Sequence, residues 1–204
     1  MNVVFDFGGV LLRWRPLEFL TRLLPAHTGT REATEALAVD FFQGFGGDWA
    51  EFDRGTLGAA PLAERISART GLRLHDVRRV IDAVPEELQP VPASVALVER
   101  LRAAGHALFY LSNMPEPYAV HLEQTHAFMR LFRQGVFSAR VRHVKPEPEI
   151  FARAQAAFGI VGEPALFIDD AVHNVRAAQA MGWQAMQFRD AAQCESELTA
   201  LGLI

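Results

Sequence analysis

The sequence predicts an α/β fold, in which a doubly wound parallel sheet carries a block of helices inserted after its first strand. The chain opens on an apolar run, residues 3–5, that stops at an acidic residue followed by two glycines. Residues 91–204 then repeat one order: a helix, a glycine, an apolar strand and a polar stop. Residues 14–88 show helical spacing without a convincing strand. Together these patterns favour a parallel sheet with one long helical insertion.

The repeated order after residue 91 predicts three helix–strand units. Each has apolar residues on one helix face, a glycine suited to the helix C-terminus and an apolar run of β type. The predicted helices cover 92–104, 147–158 and 172–181, and the strands that follow them cover 107–111, 165–168 and 183–188. Because parallel strands need such a crossover between them, these units predict a parallel sheet.

The insertion after the first strand predicts a separate helical part. Its apolar spacing indicates four helices, which cover 17–24, 32–42, 61–69 and 76–84. A series of prolines that begins at Pro85 marks the return to the sheet. We therefore expect an α/β core made of residues 1–13 and 89–204 and a helical cap made of residues 14–88.

Composition indicates a globular protein without an electrostatic preference for nucleic acid. Half of the 204 residues are apolar, 22% are charged and the net charge is −4. A single cysteine, Cys194, excludes a disulfide framework within the chain and a zinc site of several thiolates. No run reaches the ~18 apolar residues of a membrane span, and the start does not resemble a signal peptide. We expect a soluble cytoplasmic protein with no nucleic-acid or membrane partner, and the sequence leaves its oligomeric state open.

Polar residues stand at the carboxyl ends of three predicted strands. Asp6 follows the first strand, Ser112-Asn113 follows the second, and Asp169-Asp170 follows a later one. Lys145 lies in a loop between strand-like and helical segments. Since ligands of parallel α/β sheets bind beyond the carboxyl ends of the strands, we expect these residues to form a site at one edge.

The residue types at these positions suit phosphoryl transfer. Carboxylates at neighbouring strand ends, Asp6 and Asp169-Asp170, suit Mg²⁺, because without a cation one of them would take up a proton. Lys145 offers a positive charge to a phosphate, and Ser112-Asn113 offers hydroxyl and amide donors. A carboxylate nucleophile beside these groups describes transfer through an aspartyl-phosphate.

Four short motifs, in this order, resemble those of the haloacid dehalogenase-like hydrolase superfamily. They are Asp6-Phe7-Gly8-Gly9-Val10, Ser112-Asn113, Lys145-Pro146, and Asp169-Asp170 with Asn174 four residues on. The stretches VKPEPEIF (144–151) and FIDDAVHN (167–174) are similar to the branch that contains sugar-phosphate phosphatases and the phosphatase domain of soluble epoxide hydrolases. The resemblance covers essentially the whole chain and implies a Rossmann-like core with a helical cap.

The resemblance implies Mg²⁺ as the cofactor and assigns its ligands. Asp6 would be both the nucleophile and a metal ligand, and the backbone carbonyl of Gly8 would be a second ligand. Asp170 would bind the metal directly and Asp169 mostly through water. The residues themselves leave open which of these two aspartates is the direct ligand.

The remaining motif residues are expected to support the nucleophile and the substrate. Lys145 would neutralise the nucleophile and the phosphate, while Ser112 and Asn113 would hold the phosphoryl oxygens. Asn174 would orient the aspartate pair, and Gly9 would support the loop after the nucleophile.

The sequence departs from the family pattern at Gly8. Phosphatases of this family usually carry a second Asp two residues after the nucleophile, where it protonates the leaving oxygen and then activates water. Glycine keeps the backbone carbonyl but deletes this acid–base group, which is typically worth ~10²–10⁴ in rate. Some phosphatases of the same branch also resemble this chain in having Gly there.

These observations predict a Mg²⁺-dependent phosphatase acting on a small phosphomonoester, such as a sugar phosphate, through an aspartyl-phosphate. One alternative is a 2-haloacid dehalogenase, which shares the Asp nucleophile and lacks the second Asp. That chemistry needs no metal and does not use a pair like Asp169-Asp170, so the pair favours the phosphatase. A second alternative is a weakly active or non-catalytic binding protein on the same fold.

Overall fold

The computed structural model describes residues 1–44 and 47–204, and within them five strands form one parallel sheet. In chain order the strands are β1 (Asn2–Phe5), β2 (Ala107–Ser112), β3 (Gln134–Phe137), β4 (Ala165–Asp169) and β5 (Gln184–Gln187). Across the sheet their order is β3-β2-β1-β4-β5, which places β1 in the centre. Val4 of β1 pairs with Phe109 on one side and Phe167 on the other. The predicted doubly wound α/β fold is confirmed.

The described chain between β1 and residue 88 is helical. Its α-helices are α1 (Pro16–Leu23), α2 (Arg31–Phe42), α3 (Asp48–Asp53), α4 (Ala59–Thr70) and α5 (Leu74–Glu87), with a 3-10 turn at Pro25–His27. Four of them match the predicted helices. Helix α3 is not predicted from the sequence, because six residues are too few to show an apolar period. The division into a core and a cap of residues 14–88 stays a prediction.

Helix α5 continues through Pro85, beyond residue 84, where the predicted helix ends. Pro85 has no N–H, so the carbonyl of Ile81 lacks its usual partner one turn later. The hydroxyl of Tyr118 donates to this oxygen at 2.7 Å. A side chain distant in sequence therefore satisfies the carbonyl that the proline leaves open, and the helix reaches Glu87.

The rest of the chain supplies the helices that cover the sheet. They are α6 (Pro92–Ala103), α7 (Glu116–Thr125), α8 (Ser138–Val141), α9 (Pro148–Phe158), α10 (Val172–Ala180) and α11 (Ala191–Ala200), with a 3-10 turn at Ala127–Leu131. The three predicted helices of this part correspond to α6, α9 and α10. None of the helices in residues 1–44 and 47–204 is long and apolar enough to cross a membrane.

Alternation along the strands builds a separate core on each face of the sheet. Val3 and Phe5 of β1 belong to the larger core, which also contains the inserted helices. Val4 points to the opposite face and packs in a smaller core with Phe151 of α9 and Trp183. Since both faces are covered by helices, the strands are apolar on both sides and only their ends are free to carry polar groups.

No bounds are predicted for the edge strand β3, beyond a strand-like segment before Lys145. Its four residues begin with Gln134 and Gly135, so no apolar run marks it in the sequence. Gly135 is needed there because a Cβ would lie 2.0 Å from the ring of Tyr110 on the neighbouring strand. Packing against Tyr110 of β2 thus explains the glycine at position 135, and this glycine interrupts the apolar pattern by which a strand is predicted.

Candidate active site

The site lies where the strand order changes direction. The chain places β2 and β3 on one side of β1, and β4 and β5 on the other. Such switch points form crevices for ligands at the carboxyl ends of the strands. Asp6 directly follows β1, and its N–H donates to the carbonyl of Ile168 at 2.9 Å. This bond holds Asp6 beside Asp169, the last residue of β4.

Lys145 connects the two strand ends. Its side chain is buried, and Nζ lies 2.8 Å from Oδ1 of Asp6 and 2.6 Å from Oδ2 of Asp169. Burial by itself lowers the pKa of Lys145, but the charges of Asp169 and Asp6 outweigh it and raise the pKa. Lys145 is therefore held as an ammonium between two carboxylates.

Asn113 positions Lys145 through its backbone. Its Nδ2 donates to the carbonyl of Lys145 at 3.0 Å, and its Oδ1 accepts from the N–H of Lys145 at 2.8 Å. One hydrogen of Nδ2 remains for a ligand. The structure thus assigns Asn113 a contact that the sequence did not suggest, beside the expected contact with a phosphoryl oxygen.

Ser112 ends β2 next to Asn113 and lines the same cavity. Within residues 1–44 and 47–204 its hydroxyl makes no hydrogen bond, so it remains available to a bound anion. The structure therefore places Ser112 and Asn113 in the same cavity as Lys145.

The two aspartates that follow β4 differ in their surroundings. Asp169 is fully buried, and it accepts hydrogen bonds from the N–H of Ala171 at 2.8 Å and from Nδ2 of Asn174 at 3.0 and 3.1 Å. Asp170 is exposed to the cavity, and its carboxylate forms no ion pair within the described part of the chain. Asp170 therefore has oxygens free for direct coordination, whereas those of Asp169 are largely engaged. Asn174 contacts Asp169, and the orienting role that the resemblance implies for it stays a prediction.

The acidic residues at this edge fit a divalent cation. One carboxylate oxygen from each of Asp6, Asp169 and Asp170 lies within 4.8 Å of the others. Burial raises the pKa of Asp6 to about 7, with Lys145 opposing the rise and Asp169 and Asp170 adding to it. Burial, followed by the charge of Asp169, also raises the pKa of Asp170. One ammonium does not balance three carboxylates, and a cation bound by hard oxygen ligands, such as Mg²⁺, removes the imbalance.

A buried acceptor beside the acidic residues supports the same fit. Oδ1 of Asn174 is buried and accepts no hydrogen bond from any described residue. Asn174 lines the cavity near Asp170. A metal-bound water is one donor from which this oxygen would accept a hydrogen bond.

The conformation of the loop after Asp6 requires glycine at position 9 but not at position 8. The carbonyl of Phe7 accepts from the N–H groups of Val10, Leu11 and Leu12, which turns the chain back on itself. Gly9 has φ +76°, and a Cβ there would lie 2.5 Å from Oδ2 of Asp170, so this position requires glycine.

Gly8 has no such steric requirement. A Cβ at this position would meet nothing nearer than Cβ of Trp14, at 4.0 Å. The missing second carboxylate is therefore a property of this sequence and not of its backbone geometry.

A cavity of about 570 Å³ opens above these residues. Its floor is formed by Asp6, Gly8, Ser112, Asn113, Lys145, Asp170 and Asn174. Its walls come mainly from the inserted helices and are predominantly apolar; they include Trp14, Leu17, Val39, Phe42, Trp49 and Leu88. The arrangement combines a charged floor with walls suited to an apolar group.

One wall residue is acidic and was missed by the sequence analysis. Asp53, the last residue of α3, lines the cavity and is half-buried. Burial raises its pKa to about 8, with Lys145 opposing and Asp6 adding to the rise. Nothing in the sequence distinguishes Asp53 from the other acidic residues of the insertion, because its position depends on how α3 packs against the core.

The family model for haloacid dehalogenase-like hydrolases matches residues 1–182. The chain belongs to this family. It is therefore a hydrolase, and the resemblance inferred from its four motifs is confirmed.

Curated relatives of this hydrolase include two kinds of phosphatase. A sesquiterpene phosphatase of Aspergillus oryzae is 25% identical over 199 residues, which cover 97% of this chain and 94% of the relative. A phosphoglycolate phosphatase of Salmonella typhimurium is 29% identical over 143 residues, which cover 66% of this chain and 56% of that protein.

Solved structures share the fold of this hydrolase. A haloacid dehalogenase family enzyme of Bacteroides thetaiotaomicron, in complex with magnesium and inorganic phosphate, aligns with a TM-score of 0.70 at 21% identity over 92% of this chain and 93% of its own. The L-2-haloacid dehalogenase of Xanthobacter autotrophicus aligns with a TM-score of 0.67 at 19% identity, covering 91% and 76% of the two chains.

Proposed function

We propose that this hydrolase is a Mg²⁺-dependent phosphatase that cleaves an apolar phosphomonoester through an aspartyl-phosphate on Asp6. The observation that carries the proposal is the charged floor beneath apolar walls. Lys145 lies within 2.8 Å of Asp6, and the acidic residues beside it fit a divalent cation. Asp6 and Lys145 would also serve a dehalogenase, whereas a metal site would not be needed there.

The residues of the floor account for the first chemical step. The Oδ2 atom of Asp6, which is not paired with Lys145, attacks phosphorus while the bond to the leaving oxygen breaks. Lys145 offsets negative charge on Asp6 and on the phosphoryl group, and Ser112 and Asn113 donate hydrogen bonds to phosphoryl oxygens. When bound, Mg²⁺ would supply positive charge to the phosphoryl oxygens from the side of Asp6 and Asp170.

The walls determine which alcohol is released. The sequence suggested a sugar phosphate, but a sugar needs hydrogen-bond partners for its hydroxyls, and the walls contribute mostly apolar side chains such as Leu17, Phe42 and Trp49. A buried hydroxyl without a partner costs about 1–3 kcal/mol. An alkyl or terpene group instead gains about 0.8 kcal/mol for each buried CH₂. The similarity to a sesquiterpene phosphatase over nearly the whole chain supports this substrate class.

The test compares phosphate release from matched substrates in the presence of Mg²⁺. We expect kcat/KM to rise about fourfold per added methylene along a series of straight-chain alkyl phosphates, until the cavity is filled. Farnesyl phosphate should exceed a hexose phosphate and phosphoglycolate. Equal or higher kcat/KM for the hexose phosphate would overturn the substrate class. Release of halide from 2-chloropropionate in excess chelator, without phosphate release from any ester, would identify the dehalogenase instead.

A further inference from the structure

We infer that Asp53, contributed by the inserted helix α3, is the general acid and base of this enzyme, the role that Gly8 cannot fill. The geometry assigns it this role because Asp53 lines the same cavity as Asp6 and Gly8. The inference rests on the proposed phosphatase function and adds a catalytic residue that lies outside the four motifs.

The backbone around Asp53 is fastened to the sheet core. Oγ of Ser138 donates to the carbonyl of Asp53 at 2.5 Å and itself accepts from the N–H of Met114 at 2.8 Å. Met114 is two residues beyond Ser112, at the end of β2. These two hydrogen bonds fix the backbone of Asp53 relative to the carboxyl end of β2.

The two residues after Asp53 are held as well. The guanidinium of Arg54 donates to both carboxylate oxygens of Glu147, at 2.6 and 2.7 Å, and Glu147 lies two residues after Lys145. Gly55 has φ +76°, and a Cβ there would lie 3.1 Å from Ala139, so glycine permits the close approach. Arg142 donates to the carbonyl of Gly55. Three consecutive residues therefore dock on the core, as the positioning of a catalytic side chain requires.

The carboxyl of Asp53 has no fixed partner among the described residues. It appears in no hydrogen bond or ion pair within residues 1–44 and 47–204, and it faces the cavity. The charged groups whose field acts on it are Lys145, from the loop before α9, and Asp6, from the end of β1. Its pKa of about 8, raised by burial, keeps it protonated at neutral pH, so it has a proton to donate.

Other groups that border the cavity are less suited to this role. The hydroxyl of Tyr118 donates to the carbonyl of Ile81, and burial raises its pKa well above the usual value. Glu35 is exposed and paired with Arg31 at 2.7 Å. Asp170 belongs to the candidate metal site. Asp53 is the one remaining carboxyl among the described residues that line the cavity.

The two proton transfers balance over the reaction. As Oδ2 of Asp6 bonds to phosphorus, the bond to the leaving oxygen breaks, and that oxygen takes the proton of Asp53, which leaves an alcohol and the Asp53 carboxylate. A water oxygen then bonds to phosphorus and gives one proton to Asp53, while the bond between phosphorus and Asp6 breaks. Inorganic phosphate leaves, and Asp6 is again a carboxylate with Asp53 protonated.

The experiment compares wild type and Asp53→Asn on 4-nitrophenyl phosphate and 4-nitrobenzyl phosphate with saturating Mg²⁺. The two esters are similar in size and apolarity, but only the nitrophenolate leaves without a proton. We expect Asp53→Asn to cleave the benzyl ester ~10²–10⁴-fold more slowly. With the phenyl ester the variant should release a rapid burst of one nitrophenolate per enzyme and then turn over slowly, because the aspartyl-phosphate lacks its base.

Two further variants control the comparison. Asp40→Asn makes the same substitution at an exposed position of α2 that does not line the cavity, and it should behave as wild type. Gly8→Asp in the Asp53→Asn background should restore part of the lost rate on the benzyl ester, since the backbone leaves room for a Cβ there. Partial unfolding of the variant would lower the cleavage rates of both esters by the same factor, and a thermal melt measures such unfolding directly.

The outcomes separate the two proposals. If wild type releases phosphate from neither ester, the proposed function is wrong. If wild type cleaves both, and Asp53→Asn loses the same factor on each ester without a burst, Asp53 is not the acid and base. A selective loss on the benzyl ester together with a burst on the phenyl ester supports the inference.

Discussion

The floor and the walls of the cavity differ in how their acidic side chains are paired. On the floor, buried charges are paired at short distance: Lys145 lies 2.8 Å from Asp6 and 2.6 Å from Asp169. In the walls, apolar side chains dominate, and the carboxyl of Asp53 has no such partner in the described chain. Pairing opposes the effect of burial: Lys145 limits the rise in the pKa of Asp6 to about 7, whereas the pKa of Asp53, which has no partner at that distance in the described part of the chain, rises to about 8. We propose that the same residue type serves as a nucleophile on the floor and as a proton donor in the wall.

The difference also separates chemistry from selectivity. The floor is made by the ends of β1, β2 and β4, whose spacing is set by the sheet. The walls come mainly from helices inserted between β1 and α6, which take no part in the pairing of the strands. We expect changes on the floor to alter turnover with every substrate, and changes in the walls to alter the choice among substrates.

The largest effect is expected at the nucleophile. Asp6→Asn keeps the shape of the side chain but removes the attacking oxygen, so phosphate release should fall by on the order of 10⁴-fold or more. The measurement is steady-state phosphate release at saturating substrate, with a thermal melt to show that the fold persists. Retention of a substantial part of the wild-type rate would contradict the covalent mechanism.

Metal removal should have the next largest effect. Excess chelator should reduce kcat on the order of 10²–10³-fold, because the metal contributes several kcal/mol of transition-state stabilisation. Added Mg²⁺ should restore kcat. Asp170→Ala should resemble chelation and resist rescue, because its carboxylate is free to coordinate directly. Full activity in chelator would remove the metal from the proposal.

A wall substitution should change selectivity without changing chemistry. Val39 of α2 lines the cavity and is 70% exposed, so Val39→Ser should fold normally. We expect KM for a long-chain alkyl phosphate to rise by up to about tenfold, with kcat unchanged and a short-chain ester little affected. Val161 is 72% exposed outside the cavity, which makes Val161→Ser the matched control. The same rise in KM for the control would show that the walls do not select the substrate.

The last prediction concerns stability rather than turnover, as a function of pH in the presence of chelator. Asp53 has a pKa of about 8 in the folded protein, against ~3.9 in an unfolded chain. Between these values the folded state holds a proton that the unfolded state releases, so the contribution of Asp53 to stability falls as pH rises. Urea unfolding should show that the free energy of unfolding falls more between pH 5 and pH 8 for wild type than for Asp53→Asn. An equal loss in both proteins would mean that the pKa of Asp53 is not raised.

The fold and the floor could be read largely from local patterns. The alternation of helix, glycine and apolar run predicts a parallel sheet, and polar residues that follow such runs lie at one edge because strand ends meet there. Asp6, Ser112, Lys145 and Asp169 were singled out in this way, and the structure brings them together. Periodicity failed for short elements, since α3 and β3 have too few residues to show it.

By itself, the sequence determined the family, the sheet and the residue types available at the strand ends, because these depend on short motifs and on apolar spacing. Tertiary structure alone decided that Asn113 would hold the backbone of Lys145, that the walls would be apolar and that Asp53 would line the same cavity as Asp6. Each of these depends on the packing of segments far apart in the chain, such as Asp53 on Ser138. The pKa of a carboxyl depends on its desolvation and on the charges near it, and both exist only once those segments have packed.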